Sequence, residues 1–372
     1  MLYICDMDLM KTYKYKLKPT RKQEQLFESW LSTCRALYNL SLNQKIMAYE
    51  MRRVTVSKFD QYNQLPELKK EFPWFSEVYS DTLQEVLDRL DFTFKKFFSG
   101  SGFPKFSKKG TYNSFTFKRS FVVKENTIKL PKIGEVKYFN SRPIVGTPKT
   151  ATLVKEVDGW FICITSKYNT DIDQIVVDNQ NAIGIDMGVV QTFTLSDGSV
   201  IMKPKTDLSK IKKLQRKLSR QKRGSKERGK TKIQLQKAWK KVSNQRLDFL
   251  HKTTTNLVKT YSAIYIEDLK LQKMQGSGLT NVNRDMSDNN FYKFKELLKY
   301  KTIEKGKHLG LVNPAYTSQT CSACGSVDKK SRLSQDNFVC TSCGTILNAD
   351  VNASQNILRR GTTESTQRKT IV

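Results

Sequence analysis

The sequence predicts an α+β, multidomain chain, and three features carry that prediction. Large apolar residues recur at helical spacing in two stretches before residue 100. Short apolar runs separated by turn residues fill positions 114–167. Beyond residue 180, strand and helix patterns alternate, and two Cys-x2-Cys pairs interrupt them. With 372 residues, 38% of them apolar, the chain has enough hydrophobic surface for several cores, which excludes wholesale disorder.

In order along the chain, KTYKYKLKP alternates Tyr13, Tyr15 and Leu17 with lysines, the pattern of a half-buried strand. Thr20 followed by Gln23 forms a capping-box signature. Phe27, Trp30, Leu31, Cys34 and Leu37 then mark a helix, and Leu83, Val86, Leu87, Leu90, Phe94 and Phe97 a second one. The polar, proline-containing stretch between them suits shorter helices. From Ser114 to Lys167, six short strands with an Asp158-Gly159 turn predict an antiparallel sheet or barrel. Lys118, Arg119, Lys124, Lys129 and Lys137 on those strands face either solvent or a phosphate backbone. Residues 181–202 read as a strand hairpin with a third short strand. A basic helix with Leu208, Ile211, Leu214 and Leu218 inward follows, broken at Gly224 and Gly229. Ile233, Trp239, Val242 and Leu247 mark a returning helix. A buried strand ends at Glu267, a polar loop runs through 275–290, and a helix through Phe294 and Ile303 precedes the cysteines.

Lys and Arg total 65 against 35 Asp and Glu, a net charge of +30. Such a chain repels itself unless a polyanion is near, and nucleic acid is the expected partner. The density peaks between Lys203 and Lys232, with 14 basic and 2 acidic residues. Lys210, Lys213, Arg216, Lys217 and Arg220 there are the candidates for phosphate contact. No run of 18 apolar residues exists, so no membrane-spanning helix is expected. Acids in the first ten residues are unlike a secretory leader, and a cytoplasmic location is expected.

Two constellations carry chemistry. Cys321-x2-Cys324 and Cys340-x2-Cys343 have zinc-ribbon spacing, and four thiolates make a closed, structural site for one Zn²⁺. Gly325 and Gly344 follow each pair, where a positive φ and amides turned toward sulfur are expected. His251 and His308 lie outside this spacing. The second constellation is acidic: Asp186 in Gly184-Ile185-Asp186-Met187-Gly188, Glu267 closing a strand, and Asp350 starting the last helix, where a carboxylate suits both the cap and the dipole. Period two sets Gly184, Asp186 and Gly188 on one face, cleared for metal and phosphate. Asp197 and Asp268 compete for the same roles. Converging acids of this kind hold hard divalent cations such as Mg²⁺, two of which serve phosphodiester hydrolysis.

The motifs KLKPTRKQEQLF, GFPKFSKKG, GIDMG, IYIEDL, NPAYTSQTCSACG, CTSCG and NADVNASQNIL occur in this order. On them, from about Lys11 to Leu358, the chain resembles the TnpB family of transposon-encoded, RNA-guided DNA nucleases, relatives of compact type V CRISPR effectors. The resemblance implies a helical recognition domain inserted in an antiparallel, β-barrel-like wedge domain. A RuvC/ribonuclease-H-like α/β nuclease domain carrying a zinc-ribbon insertion follows. The implied boundaries are 1–20 for the N-terminal wedge strand, 21–105 for the recognition domain and 106–178 for the rest of the wedge. The nuclease domain spans 179–318 and 346–360, the zinc ribbon 319–345, and a disordered tail 361–372. Also implied are Asp186, Glu267 and Asp350 as the catalytic acids binding two Mg²⁺, and Cys321, Cys324, Cys340 and Cys343 as zinc ligands. The implied partners are a guide RNA from the transposon end and target double-stranded DNA beside a short adjacent motif. A guided binder that no longer cuts, acting as repressor or transposition accessory, and a strand-transferring transposase are the alternatives.

Overall fold

A computed structural model describes residues 2–3, 9–169, 174–175, 177–188, 192–269, 290–334 and 336–369. The chain divides into two units, Met7–Asn169 and a second formed by Met1–Asp6 with Thr170–Val372.

In the first unit, β1 (Leu9–Lys18) buries Tyr13, Tyr15 and Leu17 and exposes the intervening lysines. The chain then turns into α1 (Arg21–Arg52) through the Thr20 capping box, closed reciprocally by Gln23. Both follow from side-chain period and cap chemistry alone. After α2 (Lys58–Glu71) and a 3₁₀ turn at Pro73–Glu77 comes α3 (Ser80–Phe98). Six strands follow: β2 (Ser114–Phe117), β3 (Val122–Val123), β4 (Thr127–Leu130), β5 (Gly134–Tyr138), β6 (Thr147–Glu156) and β7 (Gly159–Tyr168). With β1 they make an antiparallel sheet in the order β2-β6-β7-β1-β5-β4-β3, ending in edges at β2 and β3. The tight turn is Val157–Asp158, and Gly159, at φ 130°, opens β7 one residue earlier than the sequence pair suggested. Phe27, Trp30, Phe115, Phe117 and Trp160 stack edge-on and tilted where α1 covers this sheet. The α3 stripe is buried only as far as Leu90; Phe94 and Phe97 leave the core. Lys118 pairs with Asp88, Arg119 with Asp81 and Lys124 with Glu135, while Lys129 and Lys137 are exposed.

The second unit is built on β8 (Ala182–Asp186), β9 (Phe193–Leu195), β10 (Val200–Ile201), β11 (Ala263–Glu267) and β12 (His308–Val312), in the order β10-β9-β8-β11-β12. The first three pair antiparallel, and β8, β11 and β12 are parallel. One face packs on α5 (Lys226–Thr260) and α6 (Phe291–Glu304), where Ile183, Ile185 and Ile266 meet Leu257, Phe294 and Leu298. The other face takes α7 (Ala349–Lys369). Between β12 and α7 the cysteine module forms a small hairpin, β13 (Asn337–Val339) with β14 (Ile346–Asn348). Basic α4 (Ser209–Arg220) precedes α5. Two expectations are corrected. Gly229 lies inside α5 instead of breaking it, because Ser225 caps the helix by accepting the Arg228 amide. The tail after Gly361 continues α7 as far as Lys369. The expected polar loop at 275–290 falls, apart from Asn290, outside the described residues. No described helix is long and apolar enough to cross a membrane.

Candidate metal centres

β8 and β11 run parallel with Ile185 opposite Ile266, so Asp186 and Glu267 stand level at their carboxyl ends and on one face. That face is also the one covered by α7. A Cβ on Gly184 would sit 2.3 Å from the Ser354 carbonyl oxygen and 2.6 Å from the Leu358 amide nitrogen. The glycine therefore admits the helix backbone, correcting the expectation of open space for metal and phosphate at that position. From Gly184 to Asp186 the strand advances about 6.6 Å. From Ser354 back to Asp350 the helix retreats about 6 Å. The contact at Gly184 thus sets Asp350 beside Asp186. Asn348, not Asp350, caps α7 by accepting the amides of Asp350 and Val351 at 3.0 and 3.2 Å. The Asp350 carboxylate is left to face the site.

The electrostatics agree with this convergence. Burial, then the facing Glu267 and Asp350, push the Asp186 carboxyl up to about 7, against the pull of Arg332. Burial also raises Glu267, opposed by a hydrogen bond from Thr317 and by Arg360. Asp350 is raised by burial and drawn back by Arg332, whose guanidinium lies 3.2 Å from Oδ1. Oxygen donors whose burial and repulsion Arg332 and Arg360 offset only in part fit a hard divalent cation. They form no tight cluster: among the described residues, only the cysteine quartet gathers three or more ligating atoms within 4.8 Å. Asp197 accepts from Ser199 and Tyr261 and Asp268 pairs with Lys295, and neither is among the acids that raise Asp186.

The four sulfurs fit zinc. Cys321 and Cys343 lie 3.7 Å apart, and Cys324 and Cys340 3.6 Å. A tetrahedral ion with bonds of about 2.3 Å calls for edges of about 3.8 Å. Gly325 and Gly344 have φ of 81° and 70°, as expected of the knuckles. Their amides bond the Cys321 and Cys340 carbonyls, however, and the sulfur of Cys340 takes the Cys343 amide instead.

Several residues of this region escaped the sequence reading. Thr317 donates to Glu267, Asn352 and Asn356 are fully buried and donate to the Thr317 and Thr320 carbonyls, and Asn352 accepts the Ser322 amide. Together they fasten α7 to the segment entering the cysteine module. Polar residues within quoted motifs were the available signal. Lys210, Lys213, Arg216, Lys217 and Arg220 are all exposed along α4, whose opposite side buries Ile211 and Leu214. His251 is half-buried on α5, and the His308 ring stands 5.6 Å from that of Tyr265.

Residues 291–357 match a family described as Cas12f1-like, TNB domain, residues 164–278 one described as "Probable transposase", and residues 7–53 one described as a helix-turn-helix domain. In this chain 7–53 holds a strand and one unbroken helix. An Escherichia coli (strain K12) protein named "Putative RNA-guided DNA endonuclease InsQ" is 33% identical over 95% of this chain and 93% of its own length. A Streptomyces pristinaespiralis "Putative RNA-guided DNA endonuclease" is 30% identical over 94% and 89%. The fold is also that of a solved Cas12f1–sgRNA–target DNA complex, at TM-score 0.56 and 13% identity, covering 94% of this chain and 99% of that one. Full-length similarity to such relatives, with the acidic and cysteine motifs in place, establishes that this chain belongs to the TnpB family of endonucleases.

Proposed function

We propose that the protein is an RNA-guided DNA endonuclease that hydrolyses both strands of a target at Asp186, Glu267 and Asp350. The observation carrying this reading is the meeting of two parallel strand ends and a helix start, where Asp186 feels both other acids. The sheet order β10-β9-β8-β11-β12 supports a RuvC/ribonuclease-H-like domain. Two Mg²⁺ ions bound there would supply an activated water and neutralise the leaving oxygen. The chain's own part is to hold the acids aligned and facing one another, so that a cation offsets the burial and repulsion that raise them. Thr317 fixes Glu267, Arg332 holds one oxygen of Asp350, and the Gly184 contact fixes the distance between Asp350 and Asp186. Carboxylates spread wider than one ion's shell suit a pair of ions. The cysteine quartet holds a structural zinc in this reading.

Delegating specificity to base pairing lets so basic a protein remain selective. The guide is an RNA from the transposon end, and the protein itself reads a short motif beside the target. Exposed α4 lysines and arginines contact phosphate. The protein works in the cytoplasm.

The test is plasmid cleavage with the copurified RNA as guide, in Mg²⁺. Wild type cuts; Asp186→Ala loses at least three orders of magnitude, about 4 kcal/mol, while guided binding persists. Occupancy without cutting by the wild type indicates a binder, and guide-independent joining a transposase; either rejects the proposal.

A further inference from the structure

Residues 92–110 contain six phenylalanines, five lysines and no acid. Past Leu90 the apolar ridge of α3 leaves the core: Phe98 is 78% exposed and Phe103 47%. These rings are nonetheless held. The chain reverses at Gly100, whose φ of 95° suits glycine, and returns over the helix. Phe103 meets Phe97 and Phe94 edge-on, with ring centres 5.2 and 5.8 Å apart, and Phe98 leans on Phe97 at 5.2 Å. Pro104 is buried, and Ser107 and Asn39 exchange two hydrogen bonds of 2.8 and 3.0 Å that pin the returning segment to α1. The result is a preformed aromatic surface in water, a feature that calls for a partner.

The flanking charge decides between partners. Lys95 is paired with Asp91 at 3.2 Å, while Lys96, Lys105, Lys108 and Lys109 stand exposed around the rings. Two copies joined through this face would press those lysines together with no acid in the segment to offset them. A polyanion with flat apolar bases matches both halves of the patch: lysines take phosphates and rings take bases. Duplex bases are stacked internally and offer no face. Resting on the reading above, in which pairing of a guide with one DNA strand leaves the other unpartnered, we propose that this platform stacks unpaired bases of DNA.

The test uses the full-length protein without guide or cleavage, so its failure is distinct from failure of the nuclease reading. Binding of a fluorescent single-stranded oligothymidylate is measured at high salt, where phosphate contacts weaken. Phe98→Ala with Phe103→Ala is expected to weaken it about tenfold or more, and Tyr at both positions to restore it. An oligothymidylate carrying 5-iodouracil should crosslink within residues 92–106 of the wild type, a readout that needs no variant to fold. Unchanged affinity in the alanine variant, or crosslinks confined elsewhere, overturns the proposal. So does preference of the same rings for oligouridylate, or a wild-type dimer that the alanine variant dissolves while DNA binding persists.

Discussion

A carboxyl group facing two other carboxylates keeps its proton to higher pH than it would in water. Asp186 does so: burial first, then Glu267 and Asp350, push its carboxyl from the ordinary 3.8 up to about 7. Between those values the folded chain binds a proton that the unfolded chain has lost. The stabilisation is therefore fully present below pH 4 and is lost as pH rises through 7. Asp186→Asn, without added divalent cation, is expected to exceed wild type in stability at pH 8 by on the order of 2 kcal/mol. The difference should close below pH 4, and urea titrations at the two pH values check it. The same repulsion is what a bound cation relieves, so a residue that weakens the empty fold strengthens the occupied one.

At the scale of elements, the acids depend on how closely α7 lies on the sheet. Gly184 is the contact point. A Gly184→Ala methyl meets helix backbone, not a flexible side-chain tip. We expect a loss of about 1–3 kcal/mol and, because Asp350 rides on the same helix, a fall in cleavage beyond what stability explains. Denaturation and single-turnover cleavage measured together separate the two. The cysteine module enters through the same helix: Cys340 is buried against Phe338 and Ala349, the first residue of α7. Cys340→Ser is expected to drop bound zinc below one per chain and to lower activity through Asp350. Zinc content by mass spectrometry checks this, and a zinc-free active wild type refutes the site.

For the whole molecule, each unit has its own hydrophobic core, one around Trp30 and Phe117 and another around Phe193 and Phe294. A chain of residues 7–169 is expected to unfold alone in one cooperative urea transition. A featureless, non-cooperative titration would show that its core is incomplete. The charge of +30 acts at this scale too: under the proposed function, nucleic-acid affinity is expected to fall steeply with salt.

Periodicity, caps and ligand spacing were legible in the sequence because each is a local rule. The alternation of β1, the Thr20–Gln23 box, the stripe of α1 and the cysteine knuckles all need only neighbours within a few residues. The three acids were nominated by motif as well. What lay beyond the sequence was set by contacts between distant segments. Gly184 clears room for a helix 170 residues later, Asn348 displaces Asp350 from the cap, and Thr317 and Arg332 hold acids on other elements. The departure of Phe94 and Phe97 from the core belongs here too, since a helical stripe states which side is apolar but not how far its neighbour reaches. Local chemistry fixes the type and ends of an element; only close packing decides which of its surfaces meet.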